Sequence, residues 1–141
     1  MIAKPQQPLP WTPPNTESVR SLPAGLWWDA VRTPRALGEH ALRLLGDATG
    51  AVIDDPLDKR LCWLIQPGAA DQWDLGWLAG VELYGETTFV YVPPADRTSG
   101  HGVHWRVPLA PGQYLTEPAY LLSVLHMATQ AVQGPREDGA R

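Results

Sequence analysis

The segment from Val81 to Pro108, V-E-L-Y-G-E-T-T-F-V-Y-V-P-P-A-D-R-T-S-G-H-G-V-H-W-R-V-P, constrains the fold of this chain more than any other. Val81–Tyr84 and Thr88–Val92 read as strands joined by Gly85-Glu86. Pro93-Pro94 closes the second, because proline has no N–H to carry a ladder forward. A polar, glycine-bearing loop follows, and Val103–Val107 reads as another strand ending a few residues after Trp105. Regular structure and an unusually specific loop are thus combined in one stretch.

Elsewhere the chain supplies helices and a hairpin. Leu26–Val31 is a short apolar run with the look of a strand. Thr33-Pro34 then reads as an N-cap with proline at the first helical position. Leu37, Ala41, Leu44 and Leu45 follow the i, i+4, i+7, i+8 stripe of an amphipathic helix, so a helix is expected from about Pro34 to Leu45, with Gly46 after its end and His40 near its polar side. Gly50–Asp54 and Arg60–Ile65 form a hairpin around the turn chemistry of Asp55-Pro56-Leu57-Asp58. Ala69–Ala79, with Trp73 and Trp77 four apart, reads as one or two helical turns or an ordered loop that lids the core. Thr116-Glu117-Pro118 opens a final helix bearing Leu121, Leu122, Leu125 and Ala128.

This order predicts an α+β fold around a mainly antiparallel sheet with flanking helices. The 141 residues suffice for one domain. Residues 1–23 are rich in proline, glutamine, serine and threonine and are expected to form an extended or disordered tail, with Trp11 as a loose anchor. The domain is expected over residues 24–133, and 134–141 as a frayed tail.

Composition narrows the function classes. A net charge of −4 argues against a dedicated nucleic-acid binder and leaves room only for a local basic patch. No segment approaches the ~20 apolar residues that span a bilayer, and the N-terminus lacks a secretory pattern. The single cysteine, Cys62, forbids an internal disulfide and fits a reducing cytoplasm; between Leu61 and Trp63 it reads as a buried small hydrophobe.

Two groups of residues carry candidate chemistry. Asp54, Asp55 and Asp58 are the densest acidic cluster, and carboxylates at a strand end can bind Mg²⁺ or Mn²⁺ for phosphoryl transfer. Metal-binding pairs on strands usually alternate, which sets both on one face. Asp54 and Asp55 are adjacent, so a regular strand sends them to opposite faces, and turn propensity alone explains Asp55-Pro56. The second group is the loop Arg97, Thr98, Ser99, Gly100 and His101, continued by His104. Glycine allows close backbone approach, the hydroxyls donate, and arginine and histidine can meet a phosphate. A polar hairpin loop is the plainer reading of it. His101 and His104 lack a nearby third zinc ligand other than Asp96, so ordinary hydrogen bonds are expected of them.

The stretch Tyr84–Trp105 resembles the C-terminal part of the bifunctional DNA primase/polymerase N-terminal (prim-pol) domain. Val90-Tyr91-Val92-Pro93-Pro94, Ser99-Gly100 and Trp105 carry the resemblance. The body from about Leu26 to Pro108, notably W-W-D-A-V-R-T-P-R and G-A-V-I-D-D-P, is similar to small stand-alone prim-pol-like proteins of high-GC bacteria. Such domains act with a D-x-D pair, an S/T-G-G-x-H strand and a third carboxylate. The resemblance implies that Glu82 stands at the third carboxylate. No D-x-D occurs here, and the strand that should carry the histidine reads D-K-R-L-C-W. The resemblance therefore implies the fold and argues against polymerase activity.

The resulting expectation is a non-catalytic binding or regulatory module, without a cofactor, in the cytoplasm. Arg97, Ser99, Gly100, His101 and His104 form the expected contact loop toward a protein, nucleotide or nucleic-acid partner. One alternative is a minimal nucleotidyl-transfer enzyme using Asp54, Asp55 and Glu82 with Mg²⁺ or Mn²⁺. Another is a protein-interaction module using exposed tryptophans and the proline-rich tail.

Overall fold

The run Leu61-Cys62-Trp63-Leu64-Ile65 is apolar at every position, so both faces of that strand must be covered. The computed structural model, which describes residues 11–13, 16–78, 80–110 and 113–133, places it at the centre of a sheet with all five of these residues buried. The strands are β1 (Arg20–Pro23), β2 (Asp29–Pro34), β3 (Val52–Asp55), β4 (Arg60–Ile65), β5 (Glu82–Tyr84), β6 (Phe89–Val92) and β7 (His104–Val107). Five of them form an antiparallel sheet in the order β5-β2-β4-β3-β7. The remaining two, β1 and β6, pair antiparallel as a separate ribbon. Helices α1 (Arg35–Leu45) and α2 (Pro118–Gln133) complete an α+β fold.

Period-two alternation divides the core between the two faces of the sheet. On one face Val31, Val52, Leu61, Trp63 and Ile65 pack against Leu37, Ala41, Leu121 and Leu125 of the helices. On the other, Ala30, Ile53, Cys62, Leu64 and Trp105 pack against Val90 and Val92 of the ribbon and against Trp28 and Tyr114. Trp11 covers this second core edge-on to Trp28, 5.7 Å between ring centroids. The first face is called the helix face below, the second the ribbon face.

Local chemistry explains how the helices start. Pro34 is the residue before α1 and gives it no side-chain cap; Thr33, expected as the cap, lies in β2 with its hydroxyl 3.4 Å from the Leu61 carbonyl. Sheet pairing with Leu61 takes precedence there over capping. Helix α2 begins at Pro118, and the Glu117 carboxylate accepts from the N–H groups of Ala119 and Tyr120 at 3.3 and 2.7 Å. Gly38 lets α1 lie close on β4, since a Cβ there would stand 2.6 Å from the Thr33 hydroxyl and 2.8 Å from Leu61.

Three features depart from the sequence expectations. Arg20–Pro23, at the end of the expected tail, form β1, and residues 1–10 lie outside the described residues. β5 and β6 do not pair with each other: β5 joins the main sheet beside β2, and β6 crosses to the ribbon. The chain makes that change of direction at Thr87, whose φ of +73° is unusual for a β-branched residue. Among the described residues 69–78, Leu75–Trp77 form one 3₁₀ turn, within the expectation of one or two turns, and Trp73 packs on the helix-face core, but Trp77 is exposed and is no part of a lid; Ala79 lies outside the described residues.

Candidate functional site

Asp54 and Asp55 leave β3 on opposite faces, as their adjacency requires, and so enter two different charge arrangements. Asp54 points to the helix face, where it is buried. Arg35, the first residue of α1, donates to both its oxygens at 2.5 and 3.3 Å. The His104 ring lies beside it, with Nε2 3.6 Å from Oδ2, while Nδ1 faces the Gly102 carbonyl at 2.8 Å. Arg35 also lies 3.6 Å from Glu39, which receives a two-pronged contact from Arg106 at 2.5 and 2.7 Å. A bulge makes this possible. The β3–β7 register skips Arg106 between Trp105 and Val107, freeing its side chain for α1. The Arg106 contact holds the Glu39 carboxyl below the usual range, outweighing the opposing effect of burial.

Asp55 points the other way, into a cleft of about 540 Å³ on the ribbon face. The cleft floor carries Ile53, Cys62 and Tyr84 from the sheet; Leu57 and Asp58 of the β3–β4 turn stand at its rim. Arg32 is its central charged group. The guanidinium is mostly buried, 14% exposed, and gathers three carboxylates: it donates to Asp58, and lies 3.8 Å from Asp55 and 3.7 Å from Glu82. Its plane lies near the Tyr84 ring, 5.6 Å from the centroid. Burial disfavours the Arg32 charge, but the Asp58 hydrogen bond leads the effects that outweigh it, and the pKa rises. Arg32 thereby pulls the Asp58 carboxyl below its ordinary value. Asp55 in turn accepts from the Asp58 N–H at 3.2 Å, which fixes the turn. Burial pushes the Cys62 thiol up to about 12, so the thiolate is strongly disfavoured and the residue behaves as the small hydrophobe expected.

The candidate catalytic residues Asp54, Asp55 and Glu82 therefore do not meet. Asp54 is across the sheet from the other two, and Asp55 and Glu82 meet only through the guanidinium between them. No group of three or more metal-ligating side chains was found among the described residues. The candidate contact loop is likewise divided. Arg97 donates to the Glu17 carbonyl at 2.7 Å, and its own carbonyl accepts from the Trp105 N–H at 2.8 Å. His104 is turned toward Asp54. Ser99, Gly100 and His101 are exposed at the loop tip, with φ of +116° at Gly100. Arg32 is the charged cleft residue that sequence reasoning passed over; its signal was an arginine two positions from Ala30 and so on the same strand face, a half-buried position that demands counter-charges.

No protein-family model, curated protein or solved structure matches the chain. Among the described residues, no helix is long and apolar enough to cross a membrane.

Proposed function

We propose that this chain is a non-catalytic binding module on a primase–polymerase-like domain of the bacterial cytoplasm, with the ribbon-face cleft as its binding face. One observation carries the reading: a guanidinium sits between Asp55 and Glu82, two of the three carboxylates with which the enzyme alternative would hold a divalent cation, and the third, Asp54, is paired with Arg35 elsewhere. Two-metal phosphoryl transfer requires carboxylates converging on cations, so that charge is neutralised and the nucleophile activated. Here the Arg32 guanidinium occupies the space between them, and Asp54 is held by Arg35 on the other face. The cleft itself has the proportions of a ligand site, concave, mainly apolar and furnished with a few fixed charges.

The resemblance in Val90–Pro94, Ser99-Gly100 and Trp105 supports the family part of the reading. Primer extension by the purified chain, with Mg²⁺ or Mn²⁺ and all nucleoside triphosphates, tests the loss of catalysis. No incorporation is expected. Incorporation that disappears in both Asp55→Asn and Glu82→Gln would overturn the proposal and restore the enzyme alternative.

A further inference from the structure

Among the described residues, strand β6 is paired along one edge, by β1, and open along the other. Its register with β1 sets Leu22 opposite Val90 and Arg20 opposite Val92, and Ala24 donates to the Thr88 carbonyl at 2.9 Å. In an antiparallel ladder hydrogen-bonded pairs alternate with non-bonded ones. Thr88, Val90 and Val92 therefore face β1, while the N–H and C=O groups of Phe89 and Tyr91 point away from it. The next carbonyl in that outward series, at Pro93, accepts from the Trp105 indole N–H at 3.2 Å. Outside the ladder, no described residue bonds the backbone of Phe89 or Tyr91.

That open edge borders the cleft. Phe89, Val90 and Tyr91 line it consecutively; from the β1 side only Val19, the residue before the strand, reaches it. Unpaired strand edges beside a concavity recruit extended chains, because each added residue satisfies groups the strand leaves bare. The charged residues lining the cleft are Arg32, Asp55 and Asp58, one cation against two carboxylates. Asp58 is the most exposed of them, its side chain 61% accessible, and it adjoins Leu57, which is 87% exposed. On the outward side of the ribbon, Phe89 and Tyr91 are 59% and 62% exposed.

We propose that the free edge of β6 takes up an extended peptide of a partner protein as a third ribbon strand, with a basic side chain of that peptide set against Asp58. The inference rests on the cleft being the binding face, and adds the kind of partner. Phe89 and Tyr91 offer two donor–acceptor pairs, room for about four backbone hydrogen bonds. Apolar side chains of the peptide turn inward onto Ile53 and Val90, and the lysine or arginine meets the surplus carboxylate. A second copy of the chain fits less well, because its own β6 lies in the same kind of concavity.

A random nine-residue peptide library, selected against the immobilised full chain, provides the probe. The tightest peptides are then synthesised and titrated while backbone amide resonances and hydrogen exchange are followed. Expected are sequences alternating apolar residues with lysine or arginine, slowed exchange at the Phe89 and Tyr91 amides, and at least tenfold weaker binding when the peptide amide facing Tyr91 is N-methylated. Tyr91→Pro, which removes an outward N–H unused by the β1 ladder, should abolish binding with an unchanged Tm. If that variant misfolds, Asp58→Lys should still weaken basic peptides about tenfold. Peptides indifferent to N-methylation, or binding without protection at Phe89 and Tyr91, overturn the proposal. Selection of no peptide, with cleft resonances shifted by nucleoside triphosphates or single-stranded DNA, overturns the peptide and keeps the binding module. Cleft resonances unmoved by all three probes overturn both.

Discussion

The two faces of the sheet treat neighbouring aspartates in opposite ways. On the helix face Asp54 lies buried beneath α1, and the side chains beside it belong to the framework: Arg35 opens the helix, and His104 begins the edge strand. On the ribbon face Asp55 and its partner Arg32 border an open cleft, and the charge is only partly walled in. The same residue type, one position apart, thus serves closure on one side and an accessible cleft on the other. The difference comes from what covers each face. Two helices supply broad apolar stripes that close the first. The second is roofed by a two-stranded ribbon too narrow to close it, and the gap remains beside β6.

The largest expected effect asks whether the ribbon face is a core at all. Each face holds a fully buried tryptophan whose indole N–H is satisfied: Trp63 donates to the Thr49 hydroxyl at 3.0 Å, and Trp105 to the Pro93 carbonyl at 3.2 Å. Trp63→Ala and Trp105→Ala should each cost about 3–5 kcal/mol in urea unfolding. If Trp105→Ala cost under ~1 kcal/mol, the ribbon would be a loose cover and the contrast between two cored faces would collapse.

The next effect separates the aspartates. Asp54→Ala leaves Arg35 and His104 beside a buried hole and should cost about 2–4 kcal/mol; the partial exposure of Arg35 keeps this below the value for a fully buried pair. Asp55→Ala should cost under ~1 kcal/mol, because Asp55 is 3.8 Å from an arginine that keeps its hydrogen bond to Asp58. Equal losses in the two variants, measured by the same unfolding curves, would break the assignment of closure to one face alone.

This asymmetry was legible in the sequence as far as local periodicity reached. Adjacency alone sent Asp54 and Asp55 to opposite faces, and the hairpin of β3 and β4 was read from its turn chemistry and apolar strands, though its place at the sheet centre was not. The stripes of α1 and α2 were equally plain. What stayed hidden depends on pairing across long separations. Arg20-Ser21-Leu22-Pro23 has no strand periodicity, and becomes one because β6 supplies its partner. Nothing in Val81–Val92 says that its two strands belong to different sheets; their distant partners, β2 for one and β1 for the other, separate them. Arg32 was overlooked for the same reason. Its role depends on Asp55 and Asp58 in one turn and Glu82 in another strand, which only the register β5-β2-β4-β3 brings to it.

The smallest effect compares the faces in acid. Arginines hold two carboxyls low: Arg106 acts on Glu39 by α1, and Arg32 on Asp58 at the cleft rim. A carboxyl lowered in the folded state binds its proton less readily there than in the unfolded chain. Its contribution is therefore complete above the ordinary value, 4.5 for Glu39, and is lost as pH falls through the lowered folded value. Glu39 is partly shielded and doubly bonded by Arg106, so its share should be under ~1 kcal/mol and should weaken with salt. Asp58 stands in solvent, where screening removes most of such an effect. Unfolding curves taken from neutral pH to below 4.5 should thus show a flatter acid limb for Glu39→Gln than for the unaltered chain, with Asp58→Asn changing it less. The reverse order would mean that the cleft rim, rather than the helix face, carries the charge coupling that holds the fold in acid.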